Sequence, residues 1–216
     1  MTDEKRYHAG LSNQTRGLTA GGAGYPSPAR TNIIDFVTIA SEGNAQDFGD
    51  LTQIRMELAG ASSPTRGLFM GGANPGVVSR SNVVDFVTIA TAGNAQDFGD
   101  LTKNTNQNCG SNISSATRGI FFPGGPSSID NIDFITMASK GNATDFGDTD
   151  GMAGGSGRAN CASTTRAVTS GGGSHPAYSN QIAYIAIATG GTAVDFGDTT
   201  QARATGGGLS NAHGGL

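Results

Sequence analysis

The sequence predicts an all-β protein, a β-propeller of four blades with four antiparallel strands each, and three observations carry that expectation. A unit of roughly fifty residues recurs four times. Within each unit, short β-branched and aromatic runs alternate with Gly-, Asn- and Pro-rich turns, and no helix-period segment competes. The two ends of the chain match the same part of the unit, as closure of a ring by terminal strands requires.

Residues 15–52, TRGLTAGGAGYPSPARTNIIDFVTIASEGNAQDFGDLT, align without gaps to 65–102, with 25 of 38 positions identical. A third copy runs from 117 to 150 and a fourth from 165 to 200. The leading threonines stand at 15, 65, 117 and 165, so the period is 50, 52 and 48. A β-solenoid would need shorter coils. A Gly-rich β-prism or fibre domain is the main alternative.

The first predicted strand of each unit is Thr-Arg-Gly-Leu-x-x-Gly-Gly. The second is the run IIDFVTIA at 33–40, apolar on both faces in a period-two reading, which fits a sheet covered on both sides. The third surrounds the DFGD tetrad, and the fourth resembles RMELAGAS at 55–62. Residues 5–18 and 203–216 both match the fourth-strand segment, giving five candidates for four places. The single repeat domain, 1–216, therefore divides into blades near 15–64, 65–116, 117–164 and 165–212, with 1–14 as a closing strand. The surplus strand pairs either within the chain or with a neighbouring subunit.

Composition narrows the function classes. The chain has 35 Gly, no Trp, and 13 Lys+Arg against 17 Asp+Glu. Lysine occurs only at 5, 103 and 140, so the clustered cations that neutralise nucleic-acid phosphates are missing. No apolar run reaches the roughly 18 residues that span a bilayer, and MTDEKRYHAG has no leader-type apolar core, which predicts synthesis in the cytosol without export. Cys109 and Cys161 occupy non-equivalent repeat positions, against a disulfide framework.

Asp-Phe-Gly is also the metal-binding signature of protein kinases. Here it occurs four times, without the phosphate loop, strand lysine and catalytic loop that a kinase needs. The expectation is structural: Phe48, Phe98, Phe146 and Phe196 anchor the core between blades, joined by Phe36, Phe86, Phe134 and Tyr184. The flanking pair Asp47 and Asp50, with its equivalents, accepts turn N–H groups or pairs with the recurrent Arg16, Arg66, Arg118 and Arg166. Calcium is disfavoured because only two carboxylates are local, and hard cations take six to eight oxygens. The Gly-Gly pairs follow strands rather than opening helices, so they read as turns and not as phosphate loops. His8, His175 and His213 are too scattered for a metal cluster or a triad. No catalytic residue, metal or cofactor is expected, and the protein reads as a non-enzyme.

The copies differ most between Gly-Gly and the second strand, where the loops read AGYPSPART, ANPGVVSRS, PSSID and GSHPAYSNQ. Variable loops on a constant scaffold are where recognition resides, and aromatic faces and Arg forks suit sugars and polar polymers. The candidate binding residues are Tyr25, Arg30, Arg80, His175 and Tyr178.

Tandem units of the form TRGxFxGG…NxIDxxTIAxxGNAxDFGD resemble the Kelch-like repeat proteins of marine tailed phages, of the cyanophage and pelagiphage type. The resemblance covers residues 15–200, and the stretch from Asn82 to Asp100 matches most specifically. It implies a virion structural or tail-associated protein, present in several copies, with other virion proteins or a host-surface glycan as partner. It assigns no catalysis, nucleic-acid binding or membrane insertion. The fourth copy departs from the pattern, with Ala183 in place of Asp35, Asp85 and Asp133, and Thr192 in place of Asn44, Asn94 and Asn142. The expected function is a non-enzymatic structural or adhesion module. The alternatives are a carbohydrate-binding lectin-like propeller and a self-assembling filament subunit.

Overall fold

The computed structural model describes residues 5–24, 30–74, 79–106, 113–122, 124, 130–149, 157–174, 176–204 and 206–208. They form strands and no helix, arranged as four antiparallel sheets consistent with propeller blades. Sheet 1 holds β1 (Ala9–Ser12), β2 (Arg16–Ala20), β3 (Ile33–Thr38) and β4 (Gln46–Asp50) in that order. Sheet 2 repeats it with β5 (Ala59–Ser62), β6 (Arg66–Met70), β7 (Ser81–Thr88) and β8 (Gln96–Thr105). Sheet 3 comprises β9 (Arg118–Phe121), β10 (Asn131–Thr136) and β11 (Thr144–Asp148), edged by a single bridge from Ser114 to Gly119. Before sheet 4 is complete the chain makes a two-stranded hairpin of β14 (Gly173–Ser174) and β15 (Ala177–Tyr178). Sheet 4 itself holds β12 (Ala159–Ala162), β13 (Arg166–Ser170), β16 (Gln181–Ala186) and β17 (Val194–Asp198).

The segment 55–62 was expected to end the first unit, and it begins the second sheet instead. Ala59 pairs with Met70 and Ala61 with Leu68, so the strand is hydrogen-bonded to the following repeat. Ala9–Ser12 likewise edges sheet 1 through β2. A small-residue strand followed by a two-residue turn finds its nearest partner downstream, and that local closure wins over the longer reach back. The N-terminal strand is thereby used inside its own sheet and is not left over to close a ring.

The sheets stack face to face through equivalent positions. Leu18, Ile34, Phe48 and Leu51 of sheet 1 pack against Phe69, Val87, Ile89 and Ala95 of sheet 2. Leu68, Val84, Phe98 and Leu101 of sheet 2 meet Phe121, Ile135 and Met137 of sheet 3. Ile120, Ile132 and Phe146 of sheet 3 meet Ala167, Ile185, Ile187 and Ala193 of sheet 4. Each fully buried Leu, Ile or Phe contributes about 1.5–3 kcal/mol, so these three seams are the main source of stability.

The stack ends on two unlike, uncovered faces. On sheet 1, Val37 is 41 % and Ile39 55 % exposed, where their equivalents Val87 and Ile89 are 3 % and 0 %. On sheet 4, Phe196 is 57 % exposed, where Phe48 and Phe98 are 2 % and 3 %. Among the described residues the backbone hydrogen bonds between sheets join the first to the second, the second to the third and the third to the fourth, and none runs from sheet 4 to sheet 1. The expected inter-sheet anchor at Phe196 is thus a surface residue, because no following sheet covers it.

Candidate functional site

The most repeated letters of the sequence form the joint between consecutive sheets. In every sheet the register slips by one residue between the second and third long strands, at Ile34/Asp35, Val84/Asp85, Ile132/Asp133 and Ile182/Ala183. The extra residue is the phenylalanine of Asp-Phe-Gly, and the β-bulge re-aims it. The preceding aspartate holds the bulge: Gly49, Gly147 and Gly197 donate their N–H to Asp47, Asp145 and Asp195 at 3.2, 3.0 and 3.1 Å. Glycine then has a structural reason. Gly99 adopts φ +146°, and a Cβ there would lie 2.4 Å from the Gly141 carbonyl oxygen of the next repeat.

That approach exists because Gly-Asn-Ala of the second and third repeats, and Gly-Thr-Ala of the fourth, docks on the tetrad before it. The Gly93 and Ala95 N–H groups donate to the Phe48 and Asp50 carbonyls at 2.7 Å each. The same pair recurs as Gly141 and Ala143 on Phe98 and Asp100, and as Gly191 and Ala193 on Phe146 and Asp148. The intervening asparagine completes the clamp: Asp50 N–H donates to Asn94 Oδ1 at 3.0 Å and Asp100 N–H to Asn142 Oδ1 at 3.1 Å. Thr192 in the fourth copy is too short to repeat it.

The recurrent arginines are absorbed in the same seams. Arg16, Arg66 and Arg118 donate through Nη1 to the Ile89, Met137 and Ile187 carbonyls of the next sheet, at 2.8, 2.8 and 2.6 Å. Their guanidinium planes cover Phe36, Phe86 and Phe134 at 4.7, 5.4 and 5.0 Å. Each of those rings stands edge-on to the bulge phenylalanine, as in Phe36–Phe48 at 5.8 Å. The expected pairing of these arginines with the DFGD aspartates does not occur, because a carbonyl in the next sheet lies closer to hand. Arg166 keeps its ring, Tyr184 at 4.9 Å, but is exposed.

A second polar row runs through the interior at Asp35, Asp85 and Asp133, all 2 % exposed or less. Lys5 Nζ reaches Asp35 at 2.8 Å, and Arg55 Nη2 reaches Asp85 at 2.6 Å, with all four side chains essentially dry. Thr52 of the preceding repeat also donates to Asp85. Among the described residues Asp133 meets no cation: Thr102 Oγ1, Thr102 N–H and Asn131 Nδ2 donate to it at 2.6, 2.8 and 2.9 Å. Burial pushes the Asp133 carboxyl above its ordinary value, against the pull of those donors. Burial likewise lowers the Arg55 guanidinium, with Asp85 opposing. In the fourth copy the row ends at Ala183, and the buried Arg158 nearby is pushed down to about 10 by desolvation. Sequence reading missed the two ion pairs. The signal was a basic residue at one repeat position in the first two copies, Lys5 and Arg55, where the third copy has Thr105.

The loop candidates separate. Tyr25 and His175 lie outside the described residues. Arg30 donates through Nη1 to Asn74 Oδ1 of the next connection at 3.3 Å, and Arg80 through Nε to Asn106 Oδ1 at 3.1 Å. Both are partly buried and tie neighbouring segments together. Tyr178, 43 % exposed, sits on the β14–β15 hairpin. No cluster of three His, Cys, Asp or Glu side chains suited to a metal ion occurs among the described residues. Cys161 is a free, half-buried thiol, and Cys109 lies outside the described residues.

The described cavity with an apolar lining is a groove of about 300 Å³ on the uncovered face of sheet 1, walled by Gly10, Gly17, Thr19, Val37 and Ala45. It is the side that, in sheets 2 and 3, receives the preceding sheet. Comparison with known proteins gives no matching family model and no matching curated protein.

Proposed function

We propose that the protein is a non-enzymatic structural and adhesion module of a phage particle, a four-bladed propeller-type stack that works by contact with other particle proteins or a host surface. The observation that carries this reading is how the repeat spends its residues. The recurrent Arg16, Asp35, Asp47, Phe48 and Gly49 are each engaged in holding sheets or bulges together. What varies is the connection between the first and second long strands of each sheet, after the Gly-Gly pair, and surface recognition belongs on such connections. The virion setting rests on the resemblance of the string around Asn82–Asp100 to tail-associated repeat proteins.

The test is fractionation of infected-cell lysates on a density gradient, followed by peptide mass spectrometry of the particle band. Stoichiometric recovery of this chain with intact particles is expected. Recovery only in the soluble fraction overturns the assignment.

A further inference from the structure

We propose that the two uncovered faces of the stack bind one another between molecules, so that a second copy of this chain docks its first sheet on the fourth sheet of the first. The two faces are the two halves of a joint that the molecule makes three times internally. Sheet 4 carries the receiving half: the Phe196 and Asp198 carbonyls, the exposed Arg166, and an apolar surface of Val168, Ile182, Tyr184 and Phe196. Sheet 1 carries the inserting half: the Gly43 and Ala45 N–H groups, the Asn44 side chain, the Ile39 carbonyl, and the apolar Val37 and Ile39.

The halves are complementary and not alike. Donors at Gly43 and Ala45 correspond to the N–H groups of Gly93 and Ala95, which fill the Phe48 and Asp50 carbonyls at 2.7 Å. Arg166 corresponds to Arg16, whose Nη1 meets the carbonyl of Ile89, the equivalent of Ile39. Space permits the contact as well. A Cβ on Gly49 would lie 2.5 Å from the Gly93 carbonyl carbon, whereas a Cβ on Gly197 meets nothing within 4 Å. Because each end matches only the other, the contact is head to tail, and its repetition gives either a closed ring of chains or an open filament.

One position of a following sheet is already taken. Gly206 and Gly208 run beside Ala159 and Asn160 of β12, where β5 runs beside β1 in the interior. Residues 207–210 read GGLS where β1 reads AGLS. Docking of a second copy therefore requires its β1 to displace residues 206–208 from the edge of β12, an exchange of strands of like sequence. The rest of the joint is open.

The docking places one specific pair in contact. In the interior a Cβ on Gly119 lies 3.2 Å from Ala61 Cβ, and one on Gly67 lies 2.8 Å from Leu11 Cδ1. The strand registers make Cys161 the equivalent of Leu11 and Ala61, and Gly17 the equivalent of Gly67 and Gly119. Cys161 of one copy therefore lies over Gly17 of the next, near the roughly 3.5–4.5 Å Cβ separation of a disulfide. The full chain carrying Gly17→Cys and Cys109→Ser is oxidised mildly over a range of concentrations and resolved on non-reducing gels with intact-mass analysis. Dimer and higher bands that grow with concentration and vanish when Cys161→Ala is added are expected. Free thiols in a monomer band, or a concentration-independent disulfide within one chain, overturn the proposal. Sedimentation velocity of the unaltered chain provides a readout free of any folding defect. A mass that rises with concentration is expected, and an invariant monomer at high concentration contradicts the contact.

Discussion

His8 occupies the repeat position held by the fully buried Leu58. Burial, reinforced by the Lys5 charge, lowers the imidazole below its ordinary 6.5, and its Nδ1 has no hydrogen-bond partner. The folded state therefore prefers neutral His8. The unfolded chain binds the extra proton first as pH falls below 6.5, and the stability that neutral His8 supports is lost from there down through the lowered folded value. Thermal midpoints of the wild type should fall between pH 7 and pH 5, and His8→Leu should flatten that slope and raise the midpoint at pH 5. An unchanged slope would assign the loss to other groups. The Arg55–Asp85 pair gives a second expectation. Removing Arg55 strands a carboxylate in a dry site, so Arg55→Ala should cost about 3–5 kcal/mol in urea unfolding followed by circular dichroism. The double replacement Arg55→Met with Asp85→Ala should cost less than Arg55→Ala alone, as the fourth copy indicates by carrying Ala183 at that position. A double variant at least as damaged as the single one would show that the pair is not an isolated unit.

At the scale of the element, the bulge and the Gly-Asn-Ala turn are the units that set one sheet on the next. Gly99 and Gly197 share a backbone that alanine rarely adopts, at φ +146° and +132°, but only Gly99 is faced by a neighbouring repeat. Gly197→Ala should cost about 1–3 kcal/mol for backbone strain alone. Gly99→Ala should cost roughly 1–3 kcal/mol more, because the Gly141 backbone must move. Equal losses in parallel denaturation curves would mean that the seam yields freely. Much of this level was legible beforehand. The period placed the long strands, and the two-faced apolar pattern of 33–40 pointed to stacked sheets. The phase was not legible. A segment such as 55–62 lies between two units in sequence, and only its hydrogen bonds to Arg66–Met70 decide which sheet owns it. Nor did the letters of Asp-Phe-Gly reveal a bulge, since a one-residue slip depends on what the partner strand does opposite Ile34 and Asp35. Arg30 and Arg80 read as free surface forks because the asparagines that hold them, Asn74 and Asn106, are distant in the chain.

Among the described residues the four sheets form a short array, in which each sheet is stabilised by its neighbours and the outer two are covered on one side only. Its interior seams use the same two backbone bonds three times, and its first sheet presents the same two donors to solvent. The direct measurement is residue-resolved amide exchange of Gly43 and Ala45 against Gly93, Ala95, Gly141, Ala143, Gly191 and Ala193, in dilute and concentrated samples. The six interior amides should be protected at every concentration. Gly43 and Ala45 should exchange near open-chain rates when dilute and become protected as concentration rises. Protection of Gly43 and Ala45 equal to the interior amides even at the lowest concentration, or no protection of the interior six, would contradict the open stack and its repeated joint.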